Sequence, residues 1–167
     1  MTDSNSDHPP PAAPAPFSDL YAGAVVAFAT PSSLTVEKDK PYALIERHEA
    51  ATDTPGLSIQ KEAGGDLAQG IGPDEWSANG GYFVGCCSDA ALETLKDSLI
   101  GTAETLSAAM EQVGLGKAPI EGIEDRLLDD AGGGAVELCS GCEWWFHSCM
   151  LTADGDRLFC DQCQDDE

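Results

Sequence analysis

The chain has 167 residues, 42% of them apolar, which is enough for one modest hydrophobic core. Its 30 acidic side chains stand against 8 basic ones, a formal net charge of −22 that keeps it in solution and repels nucleic acid and anionic membranes. No run of about 18 apolar residues occurs, so no segment is expected to span a bilayer.

Three readings of the acidity compete. It is that of a plain acidic intracellular protein, or it is adaptation to high salt, which the excess of Asp over Glu and the 5 lysines favour. Mimicry of DNA phosphates ranks last, because the carboxylates form no dense block outside the C-terminal tail. No stretch from Met1 pairs a basic region with an apolar core and a small-residue cleavage site. The expectation is an intracellular chain, cytoplasmic or part of a particle assembled there, whose cysteines serve as ligands and not as disulfides.

In chain order, residues 1–16 hold five prolines among Ser, Asp and Ala, and are expected to be a disordered tail able to extend as polyproline. From Phe17 to Cys87 the signals are those of β structure. Runs at 24–28, 42–48, 56–60 and 81–86 are β-branched or aromatic and separated by Pro, Gly and Asp, which predicts four short strands. The interval 61–80 reads as a long loop anchored by Trp76.

Residues 88–113 predict one long amphipathic helix. Ser88 suits its N-cap, Gly114 its end, and Leu92, Leu95, Leu99, Ala103, Leu106, Met110 and Val113 form its apolar stripe. The stripe would lie on the sheet or pair with a second copy of itself. A shorter helix is expected at 119–130, with Ile120, Ile123 and Leu127 facing inward. Residues 131–134, with three glycines, are the expected linker between an α+β body at 17–130 and a module at 135–167 that ends in an acidic tail. The fold class is therefore α+β: a small, mostly antiparallel sheet packed by one long amphipathic helix, plus a C-terminal four-cysteine zinc-knuckle module.

The module carries the chemistry. Cys139-x2-Cys142 and Cys160-x2-Cys163, separated by 17 residues, are two equal knuckles of the kind that bind tetrahedral zinc. A two-residue gap lets the backbone turn so that both thiolates face one ion at about 2.3 Å. Adjacent side chains on an extended strand point to opposite faces, so Cys86 and Cys87 are not expected to ligate one ion together, and Cys86 or Cys87 reads as an inward-facing small hydrophobe. His147 and Cys149 are either silent or join Cys86 and Cys87 in a second site.

The segment CSGCEWWFHSC followed by RLFCDQC resembles the latter part of a PHD-type cross-brace zinc finger, over residues 139–163 only. The resemblance implies that Cys139 and Cys142 act as that family's second ligand pair, His147 and Cys149 as its third, and Cys160 and Cys163 as its fourth. The first pair is absent, and one residue instead of two separates His147 from Cys149, so one zinc is expected. The knuckle spacing is also similar to GATA-type fingers, whose basic helix has no counterpart here.

Four thiolates leave no open position for substrate, so the zinc is expected to be structural. No Walker loop, dinucleotide fingerprint, nucleophile elbow or His-Glu-x2-His occurs. His48, beside Glu46 and Glu49, reads as a surface residue. The expected function is a non-catalytic, zinc-binding interaction protein or accessory subunit of a larger assembly, including a viral particle. Two alternatives stay open: a PHD-like peptide reader, and an enzyme with its site in the β-rich half. The expected partner is a protein, not nucleic acid or membrane, and Trp144, Trp145 and Phe146 are expected to cover the metal site and dock the module.

Overall fold

The computed structural model describes residues 15–31, 36–48, 56–61, 67–129 and 134–164. It combines helices with antiparallel sheets. Strands β1 (Val25–Phe28), β2 (Tyr42–His48), β3 (Gly56–Lys61), β4 (Leu67–Ile71) and β5 (Gly81–Gly85) form one sheet in the order β4-β3-β2-β1-β5, every pairing antiparallel. Of the expected tail, residues 1–14 lie outside the described residues; Ala15 is held at the β5 edge, where its N–H donates to Gly81 O at 3.3 Å.

The interval 61–80 is not the loop that its Gly and acid content suggests. It contains β4 and helix α1 (Pro73–Ala78). Pro73 presets the first helical turn, and the Glu75 carboxylate accepts from Gly72 N–H at 3.3 Å, so the helix starts on local chemistry alone. Trp76 of α1 is buried edge-on against Phe28, ring centroids 5.4 Å apart, and its Nε1 donates to Ala15 O at 2.8 Å. With Leu20, Leu44, Leu57, Ile59 and Ile71 it makes the core of the sheet.

The single helix expected at 88–113 is two helices, α2 (Asp89–Leu99) and α3 (Leu106–Gln112). Ser88 Oγ caps α2 by accepting from Ala91 N–H, and Thr105 Oγ1 caps α3 by accepting from Ala108 N–H, each at 3.3 Å. Between them Gly101 turns the chain at φ +76°, a conformation open to glycine at little cost. The stripe still reports burial, since Leu92, Leu95, Leu99, Leu106 and Met110 are all in the core, while Ala103 is exposed in the break. These residues pack mainly on one another and on Ile123 and Leu127 of α4 (Ile120–Leu128), not across the sheet face. Tyr21, Ala24 and Cys87 tie this second cluster to the sheet. Among the described residues no helix is long and apolar enough to cross a membrane.

After glycines that lie mostly outside the described residues, β6 (Val136–Leu138) pairs with β7 (Trp145–His147), and β8 (Leu151–Asp154) with β9 (Arg157–Cys160), which leads into α5 (Asp161–Gln164). Val136 and Trp145 belong to the same buried cluster as α2, α3 and α4. The two sides of the glycine segment are therefore packed together.

Candidate metal centre

The four knuckle cysteines sit on four different local structures. Cys139 follows β6, Cys142 closes the turn after it, Cys160 ends β9 and Cys163 lies on α5. Their sulfurs all lie within 4.8 Å of one another, with Cys139 and Cys160 buried and the other two partly exposed. A tetrahedron with metal–sulfur bonds of about 2.3 Å has edges of about 3.8 Å. Cys142 Sγ and Cys160 Sγ are 3.9 Å apart, already at that length. Four cysteines in this arrangement are able to hold a metal ion.

The backbone is arranged around the sulfurs. Gly141 N–H and Cys160 N–H both donate to Cys139 Sγ at 3.4 Å. The turn is closed by Cys139 N–H donating to Trp144 O and Glu143 N–H donating to Cys139 O, each at 2.9 Å. This requires Glu143 to adopt φ 58°, where a side chain is strained. Gly141 is needed for space: a Cβ there would stand 2.7 Å from Cys163 Cβ and 2.9 Å from its sulfur. Ser140 joins the knuckles directly, its N–H donating to Leu158 O at 2.7 Å and its Oγ accepting from Leu158 N–H at 3.3 Å. Neither role shows in the spacing of the cysteines.

The electrostatics describe a thiol cluster poised for a cation. Burial opposes ionisation of Cys139, yet the N–H groups of Cys160, Cys142 and Gly141 outweigh it and pull this thiol down to about 6. Hydrogen bonding with Cys160, then burial, holds Cys163 up at about 12, and burial likewise raises Cys142. One thiolate is thus favoured, and it disfavours ionisation of its neighbours until a positive charge offsets their repulsion.

Trp145 has the docking role expected of it. It docks the module in the gap between α2 and α3, where its N–H donates to Thr102 O and its carbonyl accepts from Gly101 N–H, both at 2.9 Å, while Nε1 donates to Glu104 O at 2.8 Å. The helix break and the module satisfy each other's backbone groups. Trp144 is 46% exposed, and its backbone N–H aids ionisation of Cys142.

The remaining candidates stay apart. His147 Nδ1 is buried without a hydrogen-bond partner, and Cys149 is exposed. Cys86 Sγ donates to Gly122 O at 3.3 Å, and burial, then Cys86, pushes Cys87 up to about 12, so it is protonated at neutral pH. Among the described residues no second group of His, Cys or acid is gathered for a metal. The side chains of Glu46 and His48, and all of Glu49, lie outside the described residues. No protein-family model, curated protein or solved structure matches this chain.

Proposed function

We propose that this chain is a non-catalytic interaction protein whose C-terminal module is held together by one zinc ion on Cys139, Cys142, Cys160 and Cys163. The observation that carries the reading is the four-sulfur cluster itself, with its spacing near a tetrahedral edge and no carboxylate or imidazole among the donors. A four-thiolate shell suits a structural ion, because it keeps no position for water or substrate. Tetrahedral sulfur also suits iron, and zinc is preferred here because the two knuckles staple two small hairpins that bury few apolar side chains. The module then serves as a platform on the α+β body for a protein partner, and the net charge of −22 favours a basic one. Native mass spectrometry with metal analysis tests the centre. One zinc per chain, lost in Cys160→Ser and retained in Cys86→Ser, Cys87→Ser and His147→Ala, is the expected result. Two zincs, or loss on changing His147 alone, would return the reading to a complete PHD-like finger, and visible absorption from iron would overturn the choice of metal.

A further inference from the structure

Where α4 meets the module, a cavity of about 330 Å³ opens beside β6. Leu128 of α4, Leu138 of β6 and Leu158 of β9 converge on it, Leu128 being 57% and Leu138 43% exposed. Single exposed leucines are ordinary on protein surfaces, but here three from separate elements share one concavity. Glu124, Glu137 and Asp156 stand around them, and among the described residues no Lys or Arg lines the cavity. Small-molecule pockets span about 300–1,000 Å³ and bring together a few polar groups that fix orientation. This site lies at the small end, open and largely apolar, which suits one or two side chains of a polypeptide.

Charge selects among the occupants. A second copy would bring another net charge of −22 against these carboxylates. The residues outside the described ones include Asp3, Asp7 and the 165–167 acids and no Lys or Arg, so the chain's own segments offer no complement. Nucleic acid and anionic lipid are repelled for the same reason. We propose that this groove docks a basic protein segment, with a bulky apolar side chain placed among Leu128, Leu138 and Leu158 and flanking Lys or Arg residues facing Glu124, Glu137 and Asp156. The proposal deepens the reading of the module as an interaction platform and rests on it.

The test uses the full chain and a fluorescent synthetic peptide with a central Leu-Trp pair flanked by Lys and Arg, followed by anisotropy, with zinc content measured in the same samples. Two further peptides replace the apolar pair by Gly-Ser or the bases by Glu. The first peptide should bind at micromolar concentration and the other two at least about ten-fold more weakly, the loss of one buried apolar side chain being of that size. Leu128→Asp, at a site exposed enough to spare the fold, should weaken binding by about ten-fold on the same basis. Glu124→Lys combined with Asp156→Lys should weaken it to a similar degree and flatten its salt dependence. Equal binding of all three peptides, or equal affinity for the parent chain and Leu128→Asp, would mean unspecific attraction and overturn the proposal. A concentration-dependent dimer abolished by Leu128→Asp would assign the groove to a second copy instead. Zinc-loaded protein that binds none of the peptides sinks the groove and leaves the metal centre standing, whereas protein that binds the first peptide without holding zinc sinks the metal centre and leaves the groove.

Discussion

Gly141→Ala isolates the geometry of the metal centre from its ligands, since it removes no sulfur. The added Cβ would lie 2.7 Å from Cys163 Cβ and 2.9 Å from Cys163 Sγ. Carbon atoms pack at about 3.5–4.0 Å, so the first knuckle and α5 must separate by about 0.8 Å or more, stretching a tetrahedron whose edges are about 3.8 Å. Gly141 is not in the left-handed region, so alanine meets no backbone penalty there and the whole effect comes from contact with Cys163. Overpacking of this kind costs about 1–3 kcal/mol, which corresponds to roughly 5- to 150-fold weaker zinc binding. Competition with a chromophoric chelator measures that affinity. Unchanged affinity in the variant would refute the placement of Cys163 against the first knuckle.

Glu143→Gly relieves the φ of 58° and should stabilise the metal-bound module by about 1 kcal/mol, seen as higher resistance to chelation; no gain would count against that turn. Trp145→Phe should cost about 0.5–1.5 kcal/mol through the lost bond to Glu104 O, and Trp145→Ala about 3–5 kcal/mol, in denaturant unfolding; equal losses would mean the indole is not packed as described. Gly81→Ala drives a Cβ into the Trp76 ring and should lower stability by about 1–3 kcal/mol in thermal melts, and a neutral result would displace Trp76 from that position. Cys139 is ionised above about 6, whereas Cys142 and Cys163 are held above the ordinary thiol range of 9 and must release protons to bind metal. Zinc affinity should therefore rise with pH across the neutral range, with proton release detectable by calorimetry in buffers of different ionisation enthalpy, and a flat profile would contradict the thiol assignments.

What could be read from the chain follows the range of the interactions involved. Strands β1, β2, β3 and β5 announce themselves because Val25, Val26, Tyr42, Ile59 and Phe83 are β-branched or aromatic and fit a pleated, half-buried surface. Strand β4 contains Ala68 and Gly70, which carry none, and exists through pairing with β3. The burial of Leu92, Leu95, Leu99, Leu106 and Met110 was legible from period, but the break after Leu99 was not. Gly101 alone weakens a helix by only about 1 kcal/mol. Trp145, more than forty residues later in sequence, then takes the Gly101 N–H, the Thr102 carbonyl and the Glu104 carbonyl as partners, which an unbroken helix would have used itself. Thr102 and Thr105 read as helix interior for want of that knowledge. At the metal centre the knuckle spacing marked the four cysteines, whereas Gly141 and Ser140 act on Cys163 and Leu158 across the two knuckles and leave no trace in spacing.

The metal centre and the groove are built on one stretch of backbone. Strand β6 contributes Leu138 to the groove and runs without interruption into Cys139, and Ser140, which also lines the groove, fixes the position of Leu158 through its paired hydrogen bonds. The opposite wall, Glu124 and Leu128, belongs to α4, whose buried Ile123 and Leu127 share a cluster with Val136 and Trp145. In the proposed zinc-bound form the ion adds a second tie between the knuckles beside the Ser140–Leu158 bonds, so its release should loosen Leu158 and Asp156 at the groove while Trp145 keeps β7 in the gap between α2 and α3. The groove should then lose one wall and not its floor, so peptide affinity falls on chelation while most of the signal for folded Trp145 remains. Binding that survives chelation at full strength would separate the two sites and leave the zinc with a purely local role.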